Sequence, residues 1–236
     1  MISLKNIADL FQNKMRLFEI FEDIDKEVFS QPFIEARDFE DIFEDKLKAV
    51  GYCPLSYDFP RSLKDQIILS ESEIPNTTGL HGYIREPFNS QSPPDFLVFE
   101  KHNLISIDLK SSKDTGSPMW NNSIPKQATI YVMMGYSCKP DFREVVFFKG
   151  SDVITKDATA ILQQRLKEAQ DQSKFSKEEL ASLDIFNHGW NIYVRANYHQ
   201  SKHQNNPTFD FTRHPNKEVN KQKVLEYLTK LSTKAS

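Results

Sequence analysis

Asp95, Asp108 and Lys110 are residues whose types and spacing suit chemistry, and they fall in one stretch, PPDFLVFEKHNLISIDLKSSK, residues 93–113. Phe96 to Phe99 form an apolar, β-prone run, and Leu104 to Leu109 follow the polar break Lys101-His102-Asn103. Two short strands across such a break predict an antiparallel hairpin. Alternation in the second strand sends Ile105, Ile107 and Leu109 to one face and Ser106, Asp108 and Lys110 to the other. A turn centred on Lys101 and His102 places Asp95 opposite Asp108; one centred on His102 and Asn103 places it opposite Lys110. Opposed side chains lie about 4.5–5.5 Å apart and diagonal ones about 7–8 Å, so either register gathers two carboxylates and an ammonium on one face. A three-residue loop would break that parity unless a bulge restored it.

Phosphodiester hydrolysis uses such a set. It requires a nucleophile made from water and relief of negative charge at the phosphate. Mg²⁺ supplies both, and binds through one or two carboxylates together with substrate phosphate oxygens. Asp95 and Asp108 are the expected cation ligands, and Lys110 is placed to orient the attacking water and to screen the doubly negative site. The plain alternative is a surface hairpin whose Asp and Lys form a weak exposed ion pair.

The string PD-x12-DLK, at Pro94, Asp95, Asp108 and Lys110, resembles the PD-(D/E)xK nuclease superfamily. The resemblance implies a restriction-endonuclease-like α/β fold: a four-stranded mixed sheet flanked by α-helices, Mg²⁺-dependent hydrolysis and a site at one end of the sheet. That family often places a further acidic residue on the preceding helix. FEDIFEDKLKAVGY is similar to the family's Phe-Glu…Leu…Gly-Tyr block, which makes Glu40 the better match and Glu44, one turn later on the same face, the second candidate ligand. Either is otherwise an ordinary solvated helix carboxylate.

Downstream, SSKDTGSPMWNNSIPKQATIYVMM resembles a block that follows the catalytic lysine in some type II restriction endonucleases, with a Lys-Ser-Ser stretch, an Asn-rich loop, Ile-Pro-Lys and an Ile-Tyr strand. The likeness covers about 33–135 and implies DNA contacts from Ser111 and Ser112. In their own right, Asn121, Asn122 and Gln127 offer the paired donors and acceptors that read adenine edges, and Lys113 and Lys126 suit phosphates. Asn121-Asn122 is equally a turn signal. Trp120 is expected to pack beneath this loop rather than stack on a base. A second candidate surface is the strand expected at Trp190–Tyr198, where Trp190, Ile192, Val194 and Ala196 alternate with Asn191, Tyr193, Arg195 and Asn197. Arg195 suits a bidentate contact with guanine or phosphate. The ordinary alternative is a strand face packed on a neighbouring loop.

Several elements must position these groups. Ile2, Ile7, Leu10, Phe11, Leu17, Phe18, Phe21 and Ile24 predict a helix over about 2–28, and Phe39, Phe43, Leu47 and Val50 another over 35–50, ended by Gly51. Residues 52–94, rich in Pro, Ser and Asn, read as loops with short strands. Strands are expected at 95–100, 104–110, 129–135 and 145–148, helices at 155–171 and 176–184, and an amphipathic helix at 217–232. This alternation favours a mixed sheet flanked by helices. The expected organisation is one endonuclease domain over 1–236, with a helical region at 1–50, a catalytic core at 33–150 and a recognition and dimerisation region at 151–236.

Composition narrows the field. With 18 Phe against 7 Gly, the chain of 236 residues can build a substantial core. No run approaches the ~18 apolar residues of a spanning helix, and the N-terminus lacks the apolar core of a secretory signal. Cys53 and Cys138 cannot form a disulfide scaffold, and read as buried thiols in a reducing cytoplasm. His199, His203 and His214 lack an acidic or Cys partner at zinc-ligand spacing. The net charge of −3 divides unevenly: residues 1–100 carry 10 Lys and Arg against 19 Asp and Glu, and residues 101–236 carry 20 against 14. The balance argues against a purely electrostatic coat for nucleic acid and permits one basic face beside a cluster of carboxylates.

The resemblance favours a type II site-specific deoxyribonuclease acting on double-stranded DNA with Mg²⁺ in a bacterial or archaeal cytoplasm. A homodimer would match a two-fold symmetric target, and a DNA methyltransferase is the expected genetic partner. A structure-selective repair or recombination nuclease, or a non-catalytic DNA-binding module, are the alternatives. No membrane association is expected.

Overall fold

The computed structural model describes residues 16–30, 36–55, 80–88, 92–101, 103–113, 124–136, 144–183 and 217–234, together with Trp120, Ile192 and Val194. Apolar spacing explains the first two elements. Helix α1, Leu17–Ser30, buries Leu17, Ile20, Phe21 and Ile24, and α2, Ala36–Ala49, buries Phe39, Phe43 and Leu47 at four-residue intervals. Gly51 stops α2 as the sequence predicts. Its φ of 93° lies in the left-handed region, the Tyr52 N–H donates to the Leu47 carbonyl at 3.0 Å and the Gly51 N–H to that of Lys48 at 2.9 Å. This is a Schellman closure, with Tyr52 and Leu47 as its apolar contact. A side chain from the start of α1 completes it: Arg16 Nη1 donates to the Val50 carbonyl at 3.2 Å.

Six strands follow: β1 Cys53–Pro54, β2 Leu80–Arg85, β3 Phe96–Lys101, β4 Asn103–Lys113, β5 Ile130–Tyr136 and β6 Glu144–Lys149. They lie side by side in chain order, with β2, β3 and β4 an antiparallel meander, β5 parallel to β4, and β6 antiparallel to β5. The parallel β1–β2 pair extends the sheet beyond the four strands that the resemblance implies. Beyond the sheet come α3 Gly150–Val153, α4 Lys156–Gln172, α5 Lys177–Leu183 and α6 Lys217–Lys234. The chain is therefore mixed α/β, and most expected boundaries fall within two residues of those observed. Helix 2–28 is seen only from Leu17; its earlier part lies outside the described residues. Among the described residues, no helix is long and apolar enough to cross a membrane.

Strand alternation sorts the sheet into two faces. On one, Phe96, Val98, Ile105, Ile107, Ile130, Val132, Val145 and Phe147 join the buried faces of α1, α2 and α6 in the main core. Phe21 meets Phe147 edge-on with centroids 5.1 Å apart, and Phe43 meets Phe96 at 5.2 Å. Each such pair adds about 0.5–1.5 kcal/mol beyond the area it buries. One charged group is built into this layer. Glu100 is buried, accepts the Tyr52 hydroxyl at 2.6 Å and the Arg16 backbone N–H at 3.0 Å, and so ties β3 to the start of α1 and the end of α2. Burial, then the Glu100 charge, holds the Tyr52 phenol far above its ordinary pKa, so it remains a hydrogen-bond donor.

On the opposite face, β2 and β3 contribute Ile84, Leu97 and Phe99 to one apolar group, and β5 and β6 contribute Tyr131, Met133, Val146 and Phe148 to another. Between the two groups runs β4, with Ser106, Asp108 and Lys110 on this face.

Two expectations require correction. Cys53 is exposed rather than buried, because β1 is a two-residue strand at the sheet edge with both side chains in solvent. Ile192 and Val194 lie in irregular backbone and Ile192 is 53% exposed, so the expected alternation of a Trp190–Tyr198 strand does not hold at these two positions.

A close backbone approach closes the sheet on the site side. The Gly150 N–H donates to the Thr129 carbonyl at 3.0 Å, and a Cβ on Gly150 would overlap the Lys126 carbonyl oxygen. Gly150→Ala is expected to lower stability by about 2–3 kcal/mol in urea titrations, since the obstacle is backbone and cannot rotate away.

Candidate active site

The hairpin takes the first of its two possible registers. Phe96 pairs with Ile107 and Glu100 with Asn103, which continues to Asp95 opposite Asp108. Asp95 sits just before β3, after the cis Pro93–Pro94 peptide. Its Oδ2 accepts the Leu109 N–H at 2.6 Å, and its carbonyl accepts the Glu86 N–H at 2.7 Å. Both bonds anchor it to neighbouring strands.

Asp108 is buried at the middle of the sheet, where β4 lies between β3 and β5. Its Oδ2 forms an ion pair with Lys110 Nζ, but receives no hydrogen bond of good geometry among the described residues. Lys110, with a side chain 15% exposed, also has its ammonium 5.9 Å from the centre of the Trp120 ring. Trp120 is buried, edge-on to Tyr131 at 4.9 Å, and the loop around it lies outside the described residues. Isolated buried carboxylates are costly in an apolar layer. Here one ammonium serves two of them.

The electrostatics follow from that shortage of positive charge. Burial and then the neighbouring Asp108 push Asp95 up to about 8, against the pull of Lys110 and the Leu109 N–H. Asp95 therefore holds its proton at neutral pH. Burial alone would depress Lys110, but Asp108, Asp95 and, more weakly, Glu40 outweigh it and raise its pKa. Lys110 is consequently a fixed positive charge rather than a base. Across the strand pair from Asp108, Tyr131 is held neutral by burial and by the Asp108 charge, and its hydroxyl accepts the Lys126 N–H at 2.8 Å.

Glu40 and Glu44 meet a different fate from the one expected of them. Arg85, at the end of β2, donates through Nη2 to Glu40 at 3.1 Å and through Nη1 to Asp41 at 2.7 Å and Glu44 at 2.6 Å. Glu44 also accepts the Tyr83 hydroxyl at 2.7 Å and pairs with Lys48 at 3.1 Å. Burial would raise Glu44, yet the bonds from Tyr83, Arg85 and Lys48 outweigh it and hold it at about 2. Among the described residues, no group of three or more His, Cys, Asp and Glu side chains converges on one metal position. The expected four-carboxylate set is thus not assembled. Glu44 is committed to Tyr83, Arg85 and Lys48, whereas Glu40 bonds Arg85 and still acts through its charge on Asp95 and Lys110.

The remaining candidates separate clearly. Gln127 spends its amide N–H groups inside the protein, on the Ile154 carbonyl and the Thr159 hydroxyl, each at 2.9 Å. It clips the segment before β5 to the N-terminal turn of α4, and does not face outward as a base reader. Lys126 is half-buried beside it, and Ser111 is half-buried near the end of β4. Ser112 and Lys113 continue β4, with side chains outside the described residues. Asn121, Asn122, Tyr193, Arg195 and Asn197 lie outside the described residues altogether.

Sequence reasoning missed Arg85. Its strand lies in the stretch read mainly as loops. The available signal was Tyr83-x-Arg85, a same-face pair of donors, in an N-terminal region with an excess of carboxylates.

The donor set suits one Mg²⁺. Two neighbouring carboxylates, one with an oxygen lacking a good hydrogen bond and the other raised by burial and then by its neighbour, are hard oxygen donors short of positive charge. The chain matches no protein-family model, no curated protein and no solved structure. The resemblance to PD-(D/E)xK nucleases rests on the sequence motif at Pro94, Asp95, Asp108 and Lys110.

Asp95 carries a sign-specific consequence. Its folded pKa lies above its unfolded value, so without metal its ionisation opposes folding increasingly as pH rises from about 4 to about 8, and levels off above. Asp95→Asn removes that penalty. In EDTA at pH 7.5 the variant is expected to melt at least about 3 °C higher than the native chain, with the gap vanishing near pH 4. Equal melting temperatures at both pH values would contradict the crowded-carboxylate assignment.

Proposed function

We propose that this chain is a Mg²⁺-dependent nuclease that hydrolyses phosphodiester bonds of double-stranded DNA, in the manner of type II restriction endonucleases. The observation that carries this reading is the convergence of Asp95, Asp108 and Lys110 on one buried face of the β3–β4 hairpin. A sheet interior has no packing use for two carboxylates that share one ammonium, and the arrangement costs stability.

Asp95 and Asp108 would hold the cation. When bound, a divalent ion supplies Lewis acidity for the phosphate and acidifies nearby water. The residues of the chain do the rest. Asp95 would have to give up its proton to serve as a ligand, and the Leu109 N–H keeps its carboxylate oriented. Asp108, fixed in the central strand, sets the depth of the site. Lys110 stays protonated, screens the carboxylates before a cation arrives, and places a positive charge where negative charge develops on the scissile phosphate.

Sequence-specific cutting is the finer part of the proposal. A two-fold symmetric target is met most simply by two copies of the chain, and protection of the host genome calls for a companion methyltransferase. The setting would be a bacterial or archaeal cytoplasm. The internal use of Gln127 favours a second reading, a repair or recombination nuclease that reads DNA shape with fewer base-edge contacts.

Incubation of the purified chain with plasmid DNA and Mg²⁺ or Mn²⁺ tests both. Discrete fragments support the restriction reading, and preference for branched or mismatched duplex supports the second. Plasmid and branched substrates that all stay intact with either cation would sink the nuclease assignment. Lys110→Met is expected to slow cleavage by at least about 100-fold. Asp108→Ala should abolish it while leaving DNA affinity measurable by gel shift.

A further inference from the structure

Two partners of different kind meet Lys110 among the described residues. Its Nζ forms an ion pair with the carboxylate of Asp108, two residues earlier on the same face of β4. The same ammonium lies over the Trp120 ring, 5.9 Å from its centre. The indole is itself held in place. Trp120 is buried, and meets Tyr131 edge-on at 4.9 Å and Phe148 edge-on at 6.4 Å. Those two rings, from β5 and β6, face each other across the strand pair and stack at 5.3 Å. Tyr131 stands opposite Asp108 in the sheet, and its hydroxyl accepts the Lys126 N–H at 2.8 Å. A fixed aromatic block thus borders the polar side of β4 and turns a ring face to the lysine.

We infer that Trp120 is a positioning residue for Lys110, its indole face keeping the ammonium beside Asp95 and Asp108. This role rests on the nuclease reading above and adds a residue to it. Lysine carries its charge on a flexible four-carbon stem, so a single ion pair fixes it poorly. Asp108 is moreover the group that a cation would engage, and an oxygen shared with a metal holds an ammonium less well. A further carboxylate in place of the indole would hold the ammonium but deepen the excess of negative charge. The ring face attracts a cation through its quadrupole, and brings neither net charge nor an oxygen that competes for metal. Burial strengthens that attraction, since the Lys110 side chain is only 15% exposed and Trp120 is buried. The ammonium therefore keeps a seat at the site whatever Asp108 binds.

Fluorinated tryptophan separates this role from packing, because fluorine drains the negative face of the ring and leaves its shape nearly unchanged. In plasmid cleavage with Mg²⁺, the full chain carrying trifluorotryptophan is expected to lose about five- to tenfold in kcat, with monofluorotryptophan in between. KM should stay near the native value. A second readout needs neither DNA nor metal. A nearby ammonium quenches indole emission, so Lys110→Met is expected to fluoresce more brightly than the native chain. Both effects should vanish in Trp120→Phe, where Trp190 is the remaining tryptophan. Trp190→Phe must retain both, and serves where Trp120→Phe does not fold by circular dichroism. Equal emission from the native chain and Lys110→Met, or a gain that survives Trp120→Phe, would overturn the contact. A trifluorinated chain that cuts at the native rate would overturn the positioning role. A native chain that cuts no DNA would end the nuclease reading instead, and emission would still decide whether the indole holds Lys110.

Discussion

The pairing of β3 with β4 is the constraint on which the rest depends. A hairpin has a side-chain period of two, so a slip by one residue would send Asp108 and Lys110 into the helix-facing core and Ile107 and Leu109 toward the site. The observed register prevents this because Ile105, Ile107 and Leu109 pack with Phe96 and Val98 in the main core. The same pattern that buries the apolar residues therefore presents the carboxylates and the lysine together. Structure and candidate chemistry share one determinant.

Electrostatic shortage is the second theme. Asp95, Asp108 and Lys110 form a set with more negative than positive charge, and the protein answers by raising the pKa of Asp95 and keeping Lys110 charged. On α2 the balance is managed differently. Arg85, Lys48 and Tyr83 surround Glu44 and lower its pKa. Two carboxylate groups in one region thus have opposite character: one satisfied by donors, the other left short of them. Carboxylates raised by burial and a like-charged neighbour cluster at functional sites, whereas donor-surrounded ones such as Glu44 serve packing and charge balance.

The second face of the sheet supplies the setting. Apolar groups from β2–β3 and from β5–β6 flank the polar side of β4, which lowers the local dielectric and strengthens each interaction within it. The clip made by Gln127, the Tyr131 hydroxyl and the tight turn at Gly150 fix the segment that enters β5 beside Asp108. Gln127, expected to touch DNA on this segment, is instead structural, and Trp120 is buried. Amide groups near a helix terminus meet unsatisfied backbone within reach, and intramolecular partners are always at hand.

What the sequence by itself determined is the set of local elements and one convergence. Phe39, Phe43 and Leu47 specified the face of α2, Gly51 its end, and the alternation through Ile105, Ile107 and Leu109 specified which side of β4 Asp108 and Lys110 occupy. These are short-range consequences of chain geometry. It was the tertiary structure that decided between the two hairpin registers, and that decided the partners of Glu40, Glu44, Glu100 and Gln127. Those partners lie tens of residues away in the chain, as with Arg85 for Glu40, and a charge or an amide carries no periodic signal to say which distant group it will meet. Spacing reports the face a side chain takes; only the folded chain places another group opposite it.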